Sequence, residues 1–365
     1  MPSSTASQRP PAIIDIRHGS GFDDDVLGQD RCGNISQDEE LIERILDGLD
    51  PKEPGKPRSL PTLLLYDDRG VQLLDRITHL EEYYLTLDEI DILERDADLI
   101  IDHIPDNGVL VELDARSLRT TVLLLNALER KRKNITYYAL GLVVDELTKA
   151  LQSIEHLKNV KSAGLLGTYE DGIAFVKTLG PEIPKTLVWL GSSIGSLTRE
   201  DACHLLTHYA ETLHQDSDNF LIGIDRKNDP QEILLAYNDT KGITEEFIMN
   251  GLDHANALLG QALLERARFE YYGRYDAEVG RHEAYYRVKA AHRLRYAGLG
   301  VGGEEVPEVV VNLAKGELIP IEYSYKWSPG DTARLFEEAG YARVGYWTST
   351  SHRYDLHMVC RKKRH

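Results

Sequence analysis

From residue 108 to residue 237 the chain alternates short apolar runs with helical patterns, and few soluble folds accept that rhythm. The runs at 109–113, 136–142, 160–166, 186–190 and 219–224 read as strands. Helical patterns follow them at 118–130, 145–157, 171–179, 199–213 and 230–237. This repetition predicts an α/β architecture, a doubly wound, Rossmann-like parallel sheet with helices on both faces. Ligands of such sheets lie beyond the carboxyl ends of the strands, where residues 114–117, Gly141 and residues 191–196 fall. In nucleotide-binding sheets the first strand-to-helix turn carries glycines, which allow positive φ and a close backbone approach to the ligand. Here Asp114, Ala115 and Arg116 stand in that turn.

The flanks organise around this sheet. Residues 1–37 read as a mostly disordered tail. Residues 38–107, with helical spacing at 38–49 and 89–104 and a proline-containing connector at 51–61, read as an N-terminal helical layer. After 237 the rhythm breaks: a long helical stretch (244–267) leads into strand-like segments at 269–275, 284–295, 308–313 and 318–327. A helix at 329–339 and a strand at 342–360, broken near Thr350, return to the sheet. The expected division is 108–239 plus 327–365 for the sheet domain, and 240–326 for an inserted α+β substrate-binding domain.

A net charge of −18 argues against a nucleic-acid or anionic-membrane surface. The short basic run at 361–364 reads as a solvated tail. Three widely spaced cysteines fit a reducing compartment and argue against disulfides and structural zinc. His254, His282, His352 and His357 lack metal-ligand spacing, so no metal is expected. With neither a signal-like nor an 18-residue apolar stretch, the reading is a cytoplasmic protein. Ser192 and Ser193 form no nucleophile elbow, and the glycine run at 298–303 lacks a phosphate-loop context.

Several motifs carry more. They are residues 60–70 (LPTLLLYDDRG), 80–86 (LEEYYLT), 190–195 (LGSSIG), 223–226 (GIDR), 236–239 (AYND), 250–256 (NGLDHAN) and 280–286 (GRHEAYY). Together they resemble the histidine-specific methyltransferase family of the ergothioneine pathway, most of all its fungal branch, which includes dimethylallyltryptophan N-methyltransferases. The resemblance covers the chain from about residue 38 and implies a class I methyltransferase sheet. It implies S-adenosylmethionine as methyl donor, a small amino-acid-derived amine as substrate, and a monomer. By position Tyr66, Tyr83 and Tyr237 match tyrosines near the substrate, Glu322 and Ser324 match a Glu-x-Ser pair, and Ser196 stands at a loop asparagine. Glu322, Tyr66 and Tyr237 are the catalytic candidates, since an ammonium needs acceptors that hold it and help it lose a proton; Tyr83, Ser196 and Ser324 are the substrate-binding candidates. Glu112, Asp114, Arg116, Gly141, Thr168, Tyr169 and Gly191 occupy the cofactor positions.

The chain departs from the family at the cofactor end. Asp114-Ala115-Arg116 replaces Gly-Ser-Gly, and Gly141 replaces an aspartate that accepts the ribose hydroxyls. Losing such an acceptor costs ~1.5–3 kcal/mol, and filling a glycine turn adds strain. The expectation is weakened binding of the usual donor, with an inward Arg116 favouring a more acidic ligand. Three functions stay open: an amine-directed enzyme with altered donor chemistry, a conventional S-adenosylmethionine-dependent N-methyltransferase, and a non-catalytic partner or sensor.

Overall fold

The computed structural model describes residues 11–17, 37–115, 118–297 and 308–363. The strands in chain order are β1 (Ile13–Asp15), β2 (Gly108–Glu112), β3 (Ile135–Gly141), β4 (Val160–Leu166), β5 (Lys185–Trp189), β6 (Asn219–Asp225), β7 (Phe269–Asp276), β8 (Arg281–Val288), β9 (His292–Tyr296), β10 (Val309–Leu313), β11 (Leu318–Tyr325), β12 (Tyr341–Thr348) and β13 (Tyr354–Arg361). The helices are α1 (Gln37–Leu49), α2 (Asp68–Thr78), α3 (Tyr84–Ile100), α4 (Thr121–Arg130), α5 (Val144–Ser153), α6 (Tyr169–Thr178), α7 (Arg199–Ala210), α8 (Pro230–Ala236), α9 (Ile243–Leu259) and α10 (Pro329–Glu338).

Local chemistry starts many of these helices where the sequence offers an N-cap. Thr168 with Asp171 and Ser328 with Asp331 form capping boxes for α6 and α10. Asp67, Thr198 and Asp229 cap α2, α7 and α8. β2 and β5 are buried at every residue, as strands covered on both faces must be.

The central sheet runs β1-β4-β3-β2-β5-β6-β13-β12, parallel from β1 to β6 and antiparallel at β13 and β12. The chain winds outward from β2 to β4, then restarts at β5 and winds the other way. The crevice at that switch point opens between the carboxyl ends of β2 and β5, which sets Glu112 and Asp114 across from Gly191. Beyond the sheet, β11-β8-β7 and β10-β9 form two small antiparallel sheets.

Three cores hold these parts together. One packs α3, α4 and α5 on one face of the sheet through Ile92, Leu125 and Leu147. Another packs α6, α7 and α10 on the opposite face through Ile173, Leu206 and Phe336. The third joins Ile45 of α1 and Leu73 of α2 to Leu252 of α9 and Ile319 of β11. Residues 38–107 are therefore shared: α1 and α2 pack with the segment after 240, while α3 packs on the sheet.

Local readings are corrected in several places. The helix expected at 118–130 starts at Thr121, and that expected to reach 267 stops at Leu259, where Gly260 turns to φ +66°. The strand expected at 284–295 is divided between β8 and β9. α2 was not foreseen, and Ile13–Asp15, expected within a mostly disordered tail, pairs with β4. Among the described residues, no helix is long and apolar enough to cross a membrane.

The loop after β5 is pressed against β11. A Cβ added at Gly195 would lie 2.8 Å from the carbonyl oxygen of Tyr325. Gly195→Ala is expected to cost ~1–3 kcal/mol through this backbone collision. Urea unfolding would show a lower midpoint with an unchanged slope.

Candidate functional site

One cavity at the switch point gathers side chains from far apart in the chain. Tyr66, Tyr83, Tyr237, Ser196, Ser324 and Glu322 line it together with Glu112, Asp114 and Gly191. Gly141, Thr168 and Tyr169 are not among its lining residues. Arg116 lies outside the described residues, as does the glycine run at 298–303.

The outer end is built by β11 and the N-terminal connector. Leu60 N donates to the Pro320 carbonyl (2.9 Å) and the Thr62 hydroxyl to the Ile321 carbonyl (2.7 Å), which ties the connector to the strand. The register of β11 against β8 shifts between Pro320 and Glu322, an irregularity of the kind that re-aims a side chain. Tyr66, just after the 3-10 turn Thr62–Leu65, there donates its hydroxyl to Glu322 Oε1 at 3.2 Å.

Behind this pair sits a buried ionic array. Lys326 Nζ lies 2.5 Å from Asp225 Oδ2, and both side chains are fully buried. The ammonium also donates to Tyr237 Oη (2.6 Å) and Ser324 Oγ (3.1 Å). Tyr237 and Ser324 are 2.7 Å apart. Asp225 accepts from Tyr84 Oη (2.9 Å), which accepts from Asn228 Nδ2 (2.9 Å). The Tyr237 ring stacks on His282, 4.3 Å between centroids, and meets the edge of Tyr83. Burial, then the Lys326 charge, pushes the His282 pKa well down, so its imidazole is neutral. Burial and the Asp225 charge push the Tyr237 pKa well up, so Tyr237 is a phenol and not a phenolate.

Counting protons defines what the array offers. Lys326 spends its three N–H donors on Asp225, Tyr237 and Ser324. The two hydroxyls each accept from it and share one O–H between themselves. One hydroxyl hydrogen is left over for an acceptor on a ligand.

The inner end is acidic. Glu112 accepts from Thr121 Oγ1 (2.5 Å) and from the Tyr137 hydroxyl. Burial, with lesser help from the Glu89 and Asp114 charges, raises its pKa to about 7 against those hydrogen bonds. Glu89 Oε1 accepts from Tyr354 Oη (2.6 Å) and from Gly191 N (2.9 Å). Burial raises the Glu89 pKa against those bonds and a lesser contribution from the Thr120 hydroxyl. Asp114 holds the turn at φ +68°, a conformation that favours glycine. Gly191 and Ser192 have φ +70° and +55°, and Ser192 Oγ accepts from Asp225 N at 2.8 Å.

The remaining candidates have other surroundings. At the end of β3, a Cβ on Gly141 would sit 3.1 Å from Leu147 Cδ2, a close contact that the leucine side chain would relieve by giving way a few tenths of an ångström. The Thr168 hydroxyl is engaged with Asp171 in the α6 capping box. Tyr169 packs edge-on against Trp189, 5.2 Å between centroids. The Ser196 hydroxyl donates to the Ser193 carbonyl at 2.7 Å. No cluster of three His, Cys, Asp or Glu suited to a metal occurs among the described residues.

The sequence reading missed Lys326, Asp225, Tyr84 and Glu89. Lys326 had a signal: strand alternation puts positions 322, 324 and 326 on one side. Asp225 stood in the 223–226 motif without a role assigned to it, and Glu89 had no signal, because only the fold makes it a neighbour of the cavity.

The family described as histidine-specific, S-adenosylmethionine-dependent methyltransferases matches residues 41–361. The chain is 41% identical over 312 residues to ergothioneine biosynthesis protein 1 of Neurospora crassa, covering 84% of this chain and 34% of that protein. It therefore spans about a third of that relative's length. It is 30% identical to the N-methyltransferase imqF of Aspergillus flavus, covering 95% of this chain and 88% of that one. It is also 29% identical to the 4-dimethylallyltryptophan N-methyltransferase easF of Trichophyton verrucosum, covering 94% and 95%.

Two measurements test the electrostatics. Lys326→Met strands a buried carboxylate and is expected to cost ~3–5 kcal/mol in urea unfolding. The double variant Lys326→Met/Asp225→Leu is expected to recover much of that. For Glu112, the folded carboxyl titrates above the unfolded one, so folding takes up a proton in between. Native stability should fall as pH rises from about 4.5 to about 7, by on the order of 3 kcal/mol, and then level off. Glu112→Gln should remove this share of the slope and leave that of Glu89 and Asp225, whose pKa values burial also raises.

Proposed function

The chain belongs to the histidine-specific, S-adenosylmethionine-dependent methyltransferase family, and from that premise we propose that it is an enzyme acting on the amine of an amino acid or a close derivative, of the histidine or tryptophan type. The observation that carries the reading is the convergence of the Tyr66–Glu322 pair and the Tyr237–Ser324–Lys326 array on one cavity. Glu322 and Tyr66 hold the amine, and Glu322 accepts the proton it must lose before it can act as a nucleophile. The spare hydroxyl hydrogen of Tyr237 or Ser324 takes a substrate acceptor such as a carboxylate. Tyr83 supports the Tyr237 ring and supplies an aromatic wall.

The family's methyl donor, S-adenosylmethionine, fits the described residues poorly in its usual mode. Gly141 offers no side-chain acceptor for the ribose hydroxyls, and Leu147 packs close to where its Cβ would be. Asp114 puts a side chain in the turn that the donor would approach, at a backbone angle that suits glycine. Gly141, Thr168 and Tyr169 also stand outside the cavity lining. The donor end is thus altered while the amine end is kept, and this is the reading we favour. A conventional S-adenosylmethionine-dependent N-methyltransferase is the second reading. It is favoured by Glu112, Asp114 and Gly191 all facing the cavity at the position where a donor would lie.

Calorimetric titration with S-adenosylmethionine and S-adenosylhomocysteine decides between them. The comparison is a variant carrying Asp114→Gly, Gly141→Asp and, to give the aspartate room, Leu147→Val. The native chain is expected to bind about a thousandfold more weakly than this variant, equivalent to ~4 kcal/mol. Micromolar binding by the native chain would establish the second reading.

A further inference from the structure

A second cavity lies away from the central sheet. β9 has only β10 beside it in its sheet, and the loop that follows α9 stands opposite β9 across a space of about 300 Å³. That volume suits a small metabolite. The cavity shares no described lining residue with the one at the switch point. Helix α9 separates the two: Thr244 and Phe247 near its start line the first, and Gln261, just past its end, lines the second. Its 17 residues, at about 1.5 Å each, put roughly 25 Å between them.

Two features of the wall call for a ligand. The first is charge. In a chain of net charge −18, Arg268, Arg293 and Arg295 line this cavity against a single described carboxylate, Glu265. Arg268 pairs with Glu265 (3.1 Å) and Arg295 with Glu308 (3.0 Å), but both are exposed pairs of the kind that contributes little. Arg293 is exposed and has no ion-pair partner among the described residues. The second feature is a pair of polar atoms, Gln261 Nε2 and His292 Nε2, which are buried without a hydrogen-bond partner. The His292 ring is held in place, since Nδ1 donates to the Ala290 carbonyl (2.8 Å) and the ring meets Phe269 at an edge. Leaving both atoms bare is costly, and nothing at the amine end uses them.

We propose that this cavity is a binding site for a small polyanion bearing carboxylate or phosphate groups. Guanidinium forks match the paired oxygens of either group, and the weak surface pairs with Glu265 and Glu308 give way to them at little cost. An anionic oxygen also accepts from the Gln261 amide, and a ligand hydroxyl or acid hydrogen donates to His292 Nε2. The site is separate from the amine cavity, so it stands or falls independently of the function proposed for that cavity.

The test is calorimetry on the full chain in low salt near neutral pH, with citrate and pyrophosphate as probes. At least one is expected to bind with a Kd below about 1 mM. Binding should weaken at least tenfold in Arg293→Ala and in Arg295→Ala, and about threefold in Gln261→Ala. Tm checks that each variant is folded, and the arginines, being exposed, can be removed without disturbing the core. Two further variants are expected to bind as the native chain does. Tyr237→Phe removes a hydroxyl of the amine cavity that would take a carboxylate, and Lys362→Ala/Lys363→Ala weakens the basic run at 361–364. Tighter citrate assigns carboxylates to the ligand and tighter pyrophosphate assigns phosphates; either supports the site. Three results overturn it: neither anion binding below about 10 mM, an affinity too weak for a built site; affinity unchanged in both arginine variants; or binding lost in folded Tyr237→Phe or in the lysine variant, which would put the anion elsewhere.

Discussion

The buried pair of Lys326 and Asp225 is the joint on which the site depends. A fully enclosed ammonium and carboxylate are tolerated only when the remaining donors and acceptors are also satisfied, and here they are. Lys326 follows β11, the strand that carries Glu322 and Ser324, while Asp225 ends β6 of the central sheet. The pair thus clamps the small antiparallel sheet to the large parallel one at the cavity. Tyr84 from α3 and Tyr237 after α8 close the same network. Through Asp225 N and the Ser192 hydroxyl it reaches the loop after β5 as well. Moving any one partner disturbs both walls of the cavity.

The two ends of the cavity differ in kind. At the outer end the ammonium, the carboxylate and the two hydroxyls pair with one another, and the proton count leaves one donor to offer. At the inner end the carboxyl groups of Glu89, Glu112 and Asp114 line one crevice. The spare donor at the outer end suits an acceptor group on a ligand. The contrast is electrostatic and does not depend on the identity of the substrate.

Much of the fold was legible because its signals are local. The parallel strands are apolar runs of the right length, and capping residues such as Ser328 and Asp331 mark helix starts without help from the rest of the chain. α2 escaped notice because its start, Asp67, was read as part of a motif and not as an N-cap. The division of the strand near 289 was invisible because the backbone there turns between two small sheets without a proline to announce it. At the site, the tyrosines and the Glu-x-Ser pair could be placed by resemblance. Glu89 could not, because nothing in a helical segment reveals that one of its acids will be buried beside a loop a hundred residues away.

What the sequence by itself determined is the order of strands and helices, the switch point they create and the absence of a Gly-Ser-Gly turn after the first strand of the parallel sheet. Those follow from periodicity and from which residues tolerate a turn. Tertiary structure alone decided that Leu147 packs close beside Gly141, that Asp114 adopts a left-handed turn at the cavity, and that Lys326 finds Asp225. The physical reason is that burial and pairing of charge depend on what comes close in space. Sequence separation carries no information about that until the chain has folded.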